Sequence, residues 1–120
     1  LDLDPHDAGA YENRAAAFYC LWHPEKAIAD VNQAIRLRPN RAGYYLSRAM
    51  NHVALGELSA AKDDYDTAIR LAPTYAEAYF RRGVVLRGLG RTADAQKDFD
   101  HAIKLDPGLR TQFQGLPEVW

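Results

Sequence analysis

The sequence predicts an all-α fold, an α-solenoid of stacked antiparallel helix pairs, on three observations. Pro5, Pro39, Pro73 and Pro107 recur every 34 residues and close near-copies of one phrase: LDLDP, IRLRP, IRLAP and IKLDP. A shift of 34 also superposes Tyr11 on Tyr45 and Tyr79, and Ala34-Ile35 on Ala68-Ile69 and Ala102-Ile103. Inside each copy the apolar residues follow a helical period that breaks once, near the middle. A unit this short cannot bury its apolar face alone, so neighbours must stack and share one continuous core.

The expected order is the end of a preceding repeat at 1–7, three repeats at 8–41, 42–75 and 76–109, and a C-terminal capping tail at 110–120. In the first repeat Trp22 stands where the others carry glycine and Pro24 suits a helix's first turn, so the first hairpin turn is expected to differ. In the second, Tyr45, Arg48, Ala49 and His52 form one stripe ended by Leu55-Gly56, and Ala61, Tyr65, Ala68, Ile69 and Leu71 form another before Pro73. Gly56 and Gly90 sit where a helix C-terminus takes a left-handed residue, which glycine adopts without steric cost. Asn40 is expected to cap the second repeat, and Thr74-Tyr75-Ala76-Glu77 reads as a capping box opening the third.

Composition removes several function classes. The net charge of −1 lacks the basic footprint of a nucleic-acid binder. No apolar run reaches the roughly 18 residues of a membrane span, so no membrane insertion is expected. The lone Cys20 rules out an intrachain disulfide or a multi-cysteine zinc site and fits a reducing compartment, which favours the cytoplasm. His6, His23, His52 and His101 are not paired at helical spacing, and no phosphate loop or nucleophile elbow is present. No enzyme activity, cofactor or metal is expected. The chain opens on Leu1 and on a repeat's closing phrase, so it is expected to be cut from a longer array.

Small residues at Ala15, Ala49 and Gly83, alanines at Ala27, Ala61 and Ala95, large residues at Val31, Tyr65 and Phe99, and the closing prolines together resemble the tetratricopeptide repeat. The chain departs from that pattern at Tyr11, Tyr45 and Tyr79, where the family's first-helix tryptophan would stand. The resemblance implies a protein-interaction scaffold, with leading helices lining a concave groove that holds a partner's peptide or helix. It also offers a direct test of chaperone-tail binding, which in this family uses a clamp of lysines and asparagines. The matching slots hold Glu12, Ala16, Ser47, Glu77 and Arg81, so a carboxylate-clamp ligand is not expected.

Helical phase places Glu12, Asn13, Ala16, Tyr19 and Cys20 on the open face of the first leading helix. Leu46, Ser47, Met50 and Val53 follow on the second, and Glu77, Phe80, Arg81, Val84 and Arg87 on the third. The groove is thus expected to be acidic at one end, apolar in the middle and basic at the other, taking a protein segment whose acidic part lies over the third repeat. The alternative function is self-association into homo-oligomers through an array end or the tail. There Phe113, Leu116 and Trp120 fall in the slots of Tyr79, Arg82 and Leu86 before Pro117 interrupts.

Three further expectations concern the scaffold. Arg14, Arg48 and Arg82 should meet Asp30, Asp64 and Asp98, each 16 residues on, across a helix hairpin. Arg36, Arg70 and Lys104 should complement the dipole in the last turn of each second helix. His52 takes the slot of Phe18 and Leu86 and should be a hydrogen-bonded boundary residue.

Overall fold

Residues 4–109 are described by a computed structural model. They form α1 (Ala8–Cys20), α2 (Pro24–Leu37), α3 (Ala42–Ala54), α4 (Leu58–Leu71), α5 (Ala76–Gly88) and α6 (Thr92–Leu105). Consecutive helices pair as α1 with α2, α3 with α4 and α5 with α6, and α2–α3 and α4–α5 join the pairs into a stack. The tail at 110–120, with its expected cap, lies outside the described residues.

The first two pairs each close their core with residues borrowed from the next. Ala15, Ala27, Val31 and Ala34 pack with Tyr44 of α3, while Ala49, Ala61, Tyr65 and Ala68 pack with Ala78 and Val85 of α5. Small residues set the helix separation. At Gly83 a Cβ would lie 2.6 Å from a Phe99 ring carbon, so the third pair brings backbone and aromatic ring closer than a methyl group allows. Tyr45 and Tyr79 donate to the carbonyls of Pro39 and Pro73 at 2.8 and 3.0 Å, tying those two closing prolines to the following helix.

The expected arginine–aspartate pairs form in all three repeats, and each is bidentate. Arg14 Nε and Nη2 lie 2.7 Å from the Asp30 oxygens; for Arg48 and Asp64 the distances are 2.8 and 2.7 Å, and for Arg82 and Asp98 2.7 and 2.8 Å. The aspartates are buried, and hydrogen bonding to them raises the pKa of Arg48 and Arg82, against the cost of burial. The remaining Nη1 reaches back into the preceding repeat: Arg48 donates to Asn32 Oδ1 at 2.9 Å and Arg82 to Asp66 Oδ1 at 3.0 Å. One side chain therefore locks a hairpin and fixes its register on the hairpin before it. His52 completes this layer as a boundary residue, with Nδ1 2.9 Å from Glu57 Oε1 and Nε2 3.6 Å from Asp64 Oδ2.

The helix ends correct two expectations. Arg41 and Tyr75 are the N-cap residues of α3 and α5, and neither makes a side-chain capping bond, so Asn40 and the Thr74–Glu77 box do not cap. Glu77 instead turns to Arg81. The one side-chain cap at a leading helix is Asp7, which accepts from the Ala10 amide at 3.0 Å.

The first hairpin turn has the same backbone as the others. His23, Glu57 and Arg91 amides donate to the carbonyls of Phe18, His52 and Leu86, closing three equivalent left-handed helix ends. Gly56 and Gly90 take φ of 77° and 82° there; Trp22 takes 61°, a conformation that costs a side-chain-bearing residue roughly 1–2 kcal/mol. Pro24 does open α2. Arg36, Arg70 and Lys104 fall in last turns, exposed, with Arg36 donating to Gln33 Oε1.

Candidate ligand groove

The first residue of each leading helix follows a closing phrase, so α1, α3 and α5 begin at equivalent places and run side by side. Their second helices cover one side, leaving the opposite face open. A cleft of about 110 Å³ lies on that face, lined by Tyr19 of α1, Met50 and Val53 of α3, and Phe80, Arg81, Val84 and Val85 of α5, with Tyr65 of α4 reaching through from behind. Beyond Phe80 and Arg81 a second hollow is lined by Glu77, Asp106 and Leu109.

Of the residues assigned to the groove from the sequence, the cleft brings together Tyr19, Met50, Val53, Phe80, Arg81 and Val84. Glu12, Asn13, Ala16, Ser47 and Arg87 are not among its lining residues. Leu46, expected to face solvent, is instead buried in the core cluster with Ala49 and Tyr65. Its helical phase sits at the margin of the packing stripe, where the neighbouring pair of helices covers it. Met50 also packs against that cluster and is half-buried, whereas Tyr19 and Val53 are over a third exposed.

Polar groups gather at one wall. Arg81 Nε donates to Glu77 Oε2 at 2.8 Å, one helical turn away. Burial is the largest influence on the Arg81 charge and opposes it, but the Glu77 hydrogen bond and the attraction of the Glu77 charge together outweigh it, and the pKa is raised. The Tyr65 phenol is pushed up to about 12, mainly by burial, with the nearby Arg81 charge opposing the shift. Tyr75, between the charges of Glu77 and Glu12, is raised too, chiefly by burial. These phenols are neutral at physiological pH and serve as hydrogen-bonding groups.

Two features escaped the sequence. Tyr65 follows the repeated second-helix pattern of core aromatics and nothing distinguishes its reach into the groove. The expected basic end does not exist as such, because Arg81 is already paired and Glu77 and Asp106 stand beside it. The spacing of Glu77 and Arg81, four apart on one helix, was the available signal.

Among the described residues no three His, Cys, Asp or Glu side chains come together as a metal ion would require, and no helix is long and apolar enough to cross a membrane.

Helix pairs of this geometry, carrying an open face of leading helices, define a repeat scaffold, and comparison with known proteins identifies which one. The family described as Tetratricopeptide repeat matches residues 76–109, and one described as TPR repeat matches 51–90. The TPR domain of Arabidopsis OM64 is 30% identical, with 84% of each chain covered and a TM-score of 0.82. The second TPR of Spaghetti (RPAP3), solved bound to the HSP90 peptide SRMEEVD, is 27% identical over 82% of this chain and 92% of its own, with a TM-score of 0.80. MamA is 25% identical over 88% of this chain, with a TM-score of 0.83, and the chain spans 61% of MamA's length. Among curated proteins no sequence matches the chain. The chain belongs to the tetratricopeptide repeat family, whose domains are protein-interaction modules.

Proposed function

We propose that the chain binds a peptide or helical segment of a partner protein along the concave groove, with one apolar side chain of the partner anchored in the cleft. The observation that carries this reading is that three successive leading helices contribute to a single apolar-lined hollow, with Tyr19, Val53 and Phe80 drawn one from each. An exposed apolar strip of this kind marks a contact surface more often than an idle one, and Met50 supplies the adaptable lining that peptide sites use. The RPAP3 domain takes an acidic peptide. Here Glu12 and Glu77 occupy that face, so the carboxylate-clamp mode of chaperone tails remains disfavoured.

The test uses peptides enriched by this protein from a displayed random 12-residue library. Val53→Gln suits it better than a change at Met50, which also supports the core; it replaces apolar lining by an amide without altering charge. Enriched peptides are expected to lose at least tenfold in affinity by calorimetry while the melting temperature holds. Unchanged affinity would place binding on another surface.

Self-association is the second reading, favoured by Leu21 and Trp22, which stand 64% and 82% exposed at the α1–α2 turn. Light scattering over a concentration series separates the two: a mass that rises with concentration supports assembly, and a constant monomer mass sinks it.

A further inference from the structure

The groove's charged wall points to the kind of segment it accepts. Arg81 is the cation lining the cleft, and its Nε is already engaged by Glu77 Oε2 at 2.8 Å. An incoming carboxylate must either displace Glu77 or share Arg81 with it, and two carboxylates on one guanidinium repel each other. Further negative charge stands in the adjoining hollow, where Asp106 joins Glu77 in the lining. Arg87 shares the open face by register but lines neither hollow, so the charges lining the two hollows are Arg81 against Glu77 and Asp106, a net negative balance.

A cation meets the reverse situation. Glu77 spends Oε2 on Arg81 and has Oε1 to accept a further donor, and the exposed Tyr19 beside Phe80 at the cleft supplies aromatic surface that attracts an ammonium or guanidinium. We propose that Glu77 sets the charge preference of the groove, so that the bound segment carries a lysine or arginine beside its apolar anchor and not a carboxylate. This rests on the groove reading above and adds to it the chemistry of the partner and the residue that selects it.

The consequence is a preference that one substitution inverts. Glu77→Gln keeps the length of the side chain and an acceptor for Arg81 Nε, but removes the charge, leaving Arg81 as an uncompensated cation in the wall. The displayed 12-residue library is selected in parallel on the parent protein, on Glu77→Gln, on Glu77→Ala and on Val53→Gln. Peptides enriched by the parent are expected to pair an apolar residue with Lys or Arg, and those enriched by both Glu77 variants to pair it with Asp or Glu. For a matched peptide pair differing only in that charge, the affinity ratio is expected to move by at least tenfold between parent and Glu77→Gln, and to shrink with added salt. Enrichment that Val53→Gln abolishes, but whose charge preference is the same in the parent and both Glu77 variants, overturns this proposal and leaves the groove reading standing. Absence of enrichment on the parent, or enrichment indifferent to Val53→Gln, overturns the groove reading and this proposal with it.

Discussion

The leading helices have two faces, and they obey different rules. Toward its partner helix each presents the same residues three times over: Arg14, Arg48 and Arg82 on Asp30, Asp64 and Asp98, beside Ala15, Ala49 and Gly83. Toward the groove no position keeps one residue through all three repeats; Tyr19, Val53 and Arg87 are equivalent in register and unrelated in chemistry. The repeated face solves the one problem every hairpin shares, which is closing onto its own second helix and onto the neighbour before it. The unrepeated face is free of that demand, so its composition can be shaped by whatever it binds. Repetition within one chain thereby separates scaffold from site.

The sharpest way to break this division is to attack the repeated face in the central repeat. Arg48→Leu leaves Asp64 buried with only a weakly placed His52 for company and removes the tie to Asn32. Breaking a buried pair by deleting one partner costs about 3–5 kcal/mol; because Arg48 is a quarter exposed, about 3 kcal/mol is expected. Asp64→Ala should cost less, since the arginine left behind can reach water. Chemical denaturation of both variants checks the order, and an equal or reversed order would mean that the buried carboxylate left behind by Arg48→Leu is not the main cost.

A smaller effect is expected where the repeated face itself varies. Gly83 takes the slot of Ala15 and Ala49, yet an added methyl would stand 2.6 Å from the Phe99 ring. Gly83→Ala therefore gains helix propensity of roughly 1 kcal/mol but forces the ring to move, and overpacking of this kind costs about 1–3 kcal/mol. A net loss of about 1 kcal/mol is expected by thermal melting. Combining it with Phe99→Leu should recover part of the loss, because the shorter side chain vacates the space; a double variant no better than the sum of its parts would sink the packing account.

How much of this was legible follows the same division. The helix pairs, their glycine-ended turns and the three ion pairs were all readable, because each signal recurs at a fixed interval and errors at one copy are corrected by the others. The cleft was half readable. Helical phase located Tyr19, Met50, Val53, Phe80, Arg81 and Val84, but it describes one helix in isolation and so misplaced Leu46, which the adjoining pair buries. It also missed Tyr44, whose burial depends on the first hairpin. Asn51 shows the same limit: it is buried in the slot where the third repeat has Val85, donating to the Ser47 carbonyl at 2.9 Å, and nothing in its spacing marks it as core. Helix caps failed for a different reason, since the side chains of Asn40 and Thr74 sit one residue outside the cap positions and Glu77 has a stronger partner in Arg81.

The smallest expected effect concerns the single position where the repeated frame keeps its backbone and changes its residue. Trp22 closes α1 with the same hydrogen bonds that Gly56 and Gly90 make, but at φ 61° its Cβ is strained and its ring is 82% exposed. Burial of the indole does little to offset that strain. Trp22→Gly relieves it at the cost of greater freedom in the unfolded chain, which for glycine amounts to about 0.5–1 kcal/mol. Set against a left-handed penalty of roughly 1–2 kcal/mol, the balance is a gain of about 0.5–1 kcal/mol, read as a rise of a few degrees in melting temperature. If the variant melts lower instead, the indole packs on the turn more than its exposure allows, and the first hairpin is not the equivalent of the other two. If it melts higher while concentration-dependent association disappears, Trp22 belongs with the unrepeated surface, held in a strained position for contact with another molecule.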